Sequence, residues 1–223
     1  PRLLTEVQKS IQIRKSQRTP ILGNADLWNT AKSDEVITVV SGLPRSGTSA
    51  MMQMLAAGGM IPYTDSERAP DKDNPAGYLE HLNSQSLQAD TSWIHETRGK
   101  CVKVISQLLP YLPENELYRV IFMDRDLREV IKSQKVMLEN LGRPTSSLSD
   151  ADLMQTLDSQ VARIEHWMKN SENIQAIFVN YSDLVNSSTD IAANTDAFLC
   201  RNLEIKSMTA SIKPELHRQQ STK

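Results

Sequence analysis

A three-layer α/β fold, with a central, mostly parallel sheet flanked by helices, is predicted by three features of this 223-residue chain. Short apolar runs rich in β-branched residues recur at 36–41 ("VITVVS"), 119–123 ("RVIFM") and 174–179 ("IQAIFV"). Runs without polar alternation mark strands buried on both faces, the habit of parallel sheets. Stretches with helical spacing of apolar residues separate these runs, and strands alternating with helices form βαβ units. No internal repeat or low-complexity tract appears, and the length suits one domain over 1–223.

Residues 1–35 read as an N-terminal extension of helix and loop. Val7, Ile11 and Ile13 lie between charges over 5–18, as in a short amphipathic helix, and Pro20 and Gly23 mark a loop. After the first strand, residues 47–57 read as helix, with Met51, Met54 and Leu55 on one face and Gly58-Gly59 as a stop. Residues 61–77 hold three prolines and six charges and read as a long loop, a place where function often lies. A helix is expected over 79–97 and a further strand over 100–106 ("KCVKVIS"). The strand at 119–123 leads into a helix over 126–141, ended by Gly142 and Pro144. Leu153, Leu157, Val161, Ile164 and Trp167 recur at steps of three or four, which predicts a helix over 150–170. The strand at 174–179 is followed by a helix over 182–198 and a short tail.

Composition bounds the function. A net charge of −2 argues against a broad nucleic-acid surface while allowing a local basic pocket. The two cysteines, Cys101 and Cys200, lie far apart without Cys-x-x-Cys spacing, which fits a reducing compartment and neither a disulfide framework nor a zinc site. No apolar run approaches 18 residues, and the basic, polar first 20 residues lack a signal-peptide core. A cytoplasmic location is expected.

The chemistry concentrates in "VVSGLPRSGTSAMMQML", residues 39–55. A strand, a glycine-containing turn and a helix start aim backbone N–H groups at one point, where the helix dipole adds positive charge. Tetrahedral oxyanions fit such a nest. Ser46, Thr48 and Ser49 add hydroxyls, and Arg45 adds a charged, planar fork of donors. In ordinary nucleotide-binding loops a lysine follows the second glycine and reaches the outer phosphates. Here Thr48 follows Gly47, and Arg45 inside the loop supplies the charge.

With these residues in view, "LPRSGTS" resembles the 5′-phosphosulfate loop of the sulfotransferases, whose donor is 3′-phosphoadenosine 5′-phosphosulfate (PAPS). That family has a P-loop-like fold without the lysine, and its loop pattern is matched by Pro44, Arg45, Ser46, Gly47, Thr48 and Ser49. The family also carries an Arg at the end of the third strand and a Ser eight residues on, which hold the donor's 3′-phosphate. "MDRDLREVIKSQ" offers Arg125 and Ser133 at that spacing. "NPAGYLEH" (74–81) resembles a motif of the bacterial PAPS-dependent branch. "IFVNYSDL" (177–184) resembles the strand-Tyr-x-Asp element, which places Tyr181 near the adenosine. "IKPELHRQ" resembles the closing element of these bacterial proteins, which would bring Arg218 over a nucleotide phosphate. The resemblance implies PAPS as co-substrate, no metal, and a small-molecule, lipid or sugar acceptor.

The chain also departs from the family. Ala50 stands where animal cytosolic enzymes stack a Trp on adenine. Those enzymes place a catalytic His two residues after a strand-end Lys; here Lys103 is kept but Ile105 replaces the His. The base must come from elsewhere. Glu80, in the position of the base of the tyrosylprotein branch, and His81 are the candidates, and Lys103 is a candidate contact to donor or acceptor. His95, His166 and His217 read as structural or exposed.

Two other readings remain open at this point. "RVIFMD" fits a Walker B pattern, so Asp124 would hold Mg²⁺ in a P-loop kinase. A non-catalytic adenine-nucleotide-binding protein would also keep the nest.

Overall fold

Four parallel strands make the central layer. β1 (Ile37–Gly42) lies between β2 (Cys101–Lys103) and β3 (Tyr118–Asp124), and β4 (Ile174–Asn180) pairs with the far side of β3, giving the order β2-β1-β3-β4. Every pairing among these strands is parallel. The structure, a computed structural model, describes residues 2–65 and 79–212, with side chains from Thr5 onward.

Strand side chains alternate between two cores because successive residues point to opposite faces. Ile37 and Val39 of β1, Val120 and Phe122 of β3, and Ile174 and Ala176 of β4 enter one core. They pack there with α1 (Arg2–Ser16), α4 (Leu127–Asn140) and α5 (Asp150–Asn170) through residues such as Ile11, Val130, Val161 and Met168. Val40, Ile121, Met123 and Val179 enter the other core. That layer holds α3 (Thr48–Ala57), α6 (Tyr181–Asn186), α7 (Ser188–Leu199) and α8 (Ile205–Ser211). Met51, Leu55, Leu184, Leu199 and Met208 are its buried contributions. Full burial of each such side chain stabilises the fold by roughly 1.5–3 kcal/mol. The three layers and the parallel sheet thus match the expectation from sequence.

Both outer edges of the sheet are covered. Ile21, beyond α1, exchanges two backbone hydrogen bonds with Ala176 of β4 at 2.8 and 2.9 Å. On the other side Cys101 of β2 donates to the Ile61 carbonyl and accepts from the Tyr63 N–H. Covered edges offer no template for pairing with another chain.

Several elements differ from expectation. Residues 79–97 do not form one helix; short 3₁₀ turns occupy Leu82–Gln85 and Ile94–Thr97. Their side chains bond locally instead. Ser84 Oγ donates to the His81 carbonyl at 2.7 Å, Asp90 accepts from the Ser92 N–H at 2.8 Å, and Thr97 Oγ1 donates to the Ile94 carbonyl. Such bonds compete with helix formation. β2 ends at Lys103, and a 3₁₀ turn over Ser106–Tyr111 follows it. The helix expected over 182–198 is two helices, broken at Ser187 within an Asn-Ser-Ser run. The loop after Pro20 contains α2 (Ala25–Asn29), capped by Asn24, and the tail contains α8, capped by Glu204. Among the described residues, no helix is long and apolar enough to cross a membrane.

Candidate active site

All four strands deliver the chain to the same edge of the sheet, the edge at which open parallel sheets hold ligands. After Gly42 the chain turns through 43–47 into α3. The Ser46 N–H donates to the Leu43 carbonyl at 3.0 Å, which closes a β-turn centred on Pro44 and Arg45. Pro at the second position and a φ of 75° at Arg45 are the signature of a type II turn. That third position normally takes glycine, and a residue with a side chain held there costs about 1–2 kcal/mol. Gly47, at φ 103°, is required for a second reason: a Cβ there would lie 2.3 Å from the Tyr181 ring.

One face of α4 grips this loop. Arg45 Nε donates to Ser133 Oγ at 3.0 Å, and Gln134 Nε2 donates to the Pro44 carbonyl at 3.1 Å. Arg125, at the end of β3, is 8% exposed and reaches the loop directly, with Nη1 donating to the Arg45 carbonyl at 3.1 Å. Its Nε donates to Glu129 Oε2 at 2.9 Å, and its guanidinium lies 4.6 Å from the centre of the Tyr181 ring. Tyr181 is buried between the loop and Arg125, so it forms a floor beneath the nest. Burial pushes its hydroxyl pKa up, with Arg125 and Arg45 pulling against that and Glu129 adding to it.

The hydroxyls of the loop differ in placement. Ser49 receives a hydrogen bond from Lys103 Nζ at 3.0 Å. Ser46 is buried beneath the loop beside Gly42, and its hydroxyl has no hydrogen-bond partner among the described residues. Its hydroxyl turns toward Gly42. Thr48 is buried in the first turn of α3.

Lys103 links the loop to the candidate base. The same Nζ lies 2.7 Å from Glu80 Oε1. The backbone of Glu80 is fixed in turn, because its carbonyl accepts from Thr64 Oγ1 at 2.8 Å and from the Asp65 N–H at 3.3 Å. Asp65 also accepts from the Leu82 N–H at 2.6 Å. His81 is arranged differently. Its Nδ1 accepts from the Asn83 N–H at 3.2 Å, and its ring stacks on Tyr63 with centroids 4.5 Å apart. That nitrogen serves as a cap for the following turn.

Asp124 is not placed as a metal ligand. Lys15 Nζ lies 2.7 Å from it and Arg18 Nη1 2.9 Å from it. Two cations of the chain itself occupy the carboxylate on which the kinase reading depends.

Contacts thus join Arg45, Arg125, Ser133 and Tyr181 in one group and Ser49, Lys103 and Glu80 in a second; the segment after β1 carries Arg45 of the first and Ser49 of the second, and Glu80 comes from the segment before the 3₁₀ turn at Leu82–Gln85. Arg218, His217 and residues 74–78 of the "NPAGYLEH" segment lie outside the described residues. Sequence reading missed Glu129, Gln134, Thr64 and Asp65. Glu129 had a signal, four residues after Arg125 on a helix, where an ion pair forms. The Thr64–Asp65 support had none, since it joins segments 15 residues apart through backbone groups.

No protein-family model matches the chain, and no curated protein matches it. Solved structures do. The chain is similar to the sulfotransferase domain from the Synechococcus PCC 7002 olefin synthase, with 13% identity over 84% of this chain and 87% of that domain, at a TM-score of 0.51. It is similar also to sulfotransferase STF9 from Mycobacterium avium, with 15% identity, 98% and 75% coverage and a TM-score of 0.49. Retinol dehydratase, solved with androsterone and the inactive cofactor PAP, gives 14% identity, 86% and 66% coverage and a TM-score of 0.47. Identities this low speak to architecture alone. The parallel sheet, the lysine-free loop after β1 and the first of these likenesses agree, and the chain has the P-loop-like fold of the sulfotransferases.

Proposed function

We propose that this chain is a sulfotransferase that moves a sulfuryl group from PAPS to a hydroxyl or amine acceptor. The observation that carries the reading is a lysine-free phosphate loop held at Arg45 by Arg125 and Ser133 and at Ser49 by Lys103, which also pairs with Glu80. The residues suit the ligand. A type II turn and a helix start suit a 5′-phosphosulfate, and Arg125 with Ser133 suits a 3′-phosphate.

When bound, PAPS supplies an activated sulfuryl group. The acceptor oxygen forms a bond to sulfur as the bond from sulfur to the phosphate oxygen breaks. The acceptor's proton passes to the Glu80 carboxylate, which Lys103 and the Thr64–Asp65 segment hold in position. Arg45 and the loop N–H groups offset charge on the bridging and equatorial oxygens, the kind of preorganised stabilisation that dominates many enzyme mechanisms. Products are the sulfated acceptor and 3′-phosphoadenosine 5′-phosphate (PAP). The acceptor is a small molecule, lipid or sugar, no metal takes part, and the reaction belongs to the cytoplasm.

Calorimetry with PAP tests the reading without an acceptor. Arg45→Ala and Arg125→Ala are each expected to weaken binding on the order of a hundredfold, the scale of a lost charged contact to phosphate. Unchanged PAP affinity in both variants refutes the donor site. With radiolabelled PAPS and a panel of acceptors, Glu80→Gln should keep PAP binding and lose turnover, and EDTA should have no effect. Loss of activity in EDTA would instead favour the kinase reading.

A further inference from the structure

Glu129 stands apart from the other carboxylates near the nest. It lies in the first turn of α4, on the same helix face as Ser133, and its side chain is only 12% exposed. A carboxylate so close to an anion site opposes the ligand unless its charge does something else. Its contact shows what that is. Glu129 takes Arg125 by the Nε edge, at 2.9 Å. A guanidinium is a rigid planar fork, so fixing one edge fixes the direction of the other end. That end points to the loop, where Nη1 meets the Arg45 carbonyl at 3.1 Å. The Tyr181 ring lies against it, with its centre 4.6 Å from the guanidinium.

We infer that Glu129 is a positioning residue, which orients Arg125 so that the site discriminates nucleotides carrying a 3′-phosphate from those without one. The inference rests on the reading of the cluster as a PAPS site and names a residue which that reading does not use. Arg125 has a flexible stem. Without a partner at Nε, its guanidinium samples orientations that do not present the fork to a phosphate, and each lost orientation weakens the contact. Removing Glu129 also takes a counter-charge from a nearly buried guanidinium, which favours its movement toward solvent. Both effects fall first on the 3′-phosphate contact, since the 5′-phosphate loop keeps its own turn bond from the Ser46 N–H to the Leu43 carbonyl and its hold from Gln134 on the Pro44 carbonyl.

The test compares PAP with adenosine 5′-monophosphate, which lacks the 3′-phosphate, by calorimetry on the full chain. Wild type should bind PAP more tightly. Glu129→Ala should reduce the PAP preference by about tenfold, the weight of one charge-assisted contact, while adenosine 5′-monophosphate affinity stays within about twofold. Glu129→Gln keeps an acceptor for Nε and should restore most of the preference. A merely structural role would weaken both nucleotides together and would show in thermal melting. An unchanged or increased PAP preference in Glu129→Ala overturns the inference, because Glu129 would then be neutral or a competitor for Arg125. A wild type with no preference for PAP over adenosine 5′-monophosphate removes the PAPS reading itself, and this role with it.

Discussion

The loop cluster and the N-terminal clasp are built from the same materials but stand at different places in the fold. In the clasp, Arg14 pairs with Asp158 and Glu165, Arg18 with Glu165 and Asp124, and Lys15 with Asp124. Three cations thus meet three carboxylates, and α1 is pinned to α5 and to the end of β3. In the loop cluster Arg45 donates to Ser133, Lys103 pairs with Glu80 and Arg125 pairs with Glu129. These groups gather near the N-terminal end of α3, where the helix dipole adds positive charge. Ion pairs that join separate elements fasten them together; charged groups gathered at a helix N-terminus suit an anionic ligand. The two lie one residue apart in the chain, since Asp124 belongs to the clasp and Arg125 to the cluster.

Substitutions at the two places should therefore fail in different measurements. The largest effect on stability is expected in the clasp. Glu165 is 4% exposed and serves two arginines. Glu165→Ala should lower the unfolding free energy by about 3 kcal/mol, as loss of one partner from a buried network does, read from the urea midpoint. Wild-type stability in that variant would make the clasp a surface decoration and end the comparison. Arg45 gives the converse. Arg45→Gly and Arg45→Ala should both lose PAP affinity, yet the glycine variant should be the more stable of the two by about 1 kcal/mol. Glycine adopts the left-handed conformation without the steric cost. Equal stability would mean that the loop carries no strain for function.

A further effect appears only at high pH and concerns neither charged region. Burial pushes the Cys101 thiol from 9.0 up to about 12, and burial together with Glu116 raises Tyr118 as well. The sign follows from proton linkage. Above pH 9 the unfolded chain loses the thiol proton while the folded chain keeps it, so stability falls as pH rises from 9 toward 12. Cys101→Ala should make that decline shallower, by at most about 1.4 kcal/mol per pH unit. Tyr118 leaves part of it in place. An unchanged slope in denaturation between pH 9 and 11 would refute the assignment to Cys101. At pH 8 a thiol reagent should label exposed Cys200 and leave Cys101 untouched until the chain unfolds.

Much of the fold was legible because burial on both faces leaves a plain signature. The runs at 36–41, 119–123 and 174–179 needed no partner information, and α5 announced itself through Leu153, Val161 and Ile164. The segment 79–97 misled because its apolar residues are spaced helically while Ser84, Ser92 and Thr97 bond to nearby backbone. β2 was overextended because Val104 is buried like a strand residue, although regular pairing stops at Lys103. In the candidate site the loop was legible through its glycines and Arg45. The inward turn of Ser46 was not, since it depends on how close Gly42 and β3 come to the loop. Nor was the capture of Asp124, because Lys15 and Arg18 lie more than a hundred residues away in the chain.

By itself, the sequence determined the elements and the chemical character of the loop, because strand burial, glycine conformations and the type II turn are properties of a few adjacent residues. Only the tertiary structure decided which charges meet. It gave Asp124 to the N-terminal arm, Glu80 to Lys103 and Glu129 to Arg125. Ion pairs depend on distances of a few ångströms between segments that the chain alone leaves independent, and those distances are fixed only when the layers pack.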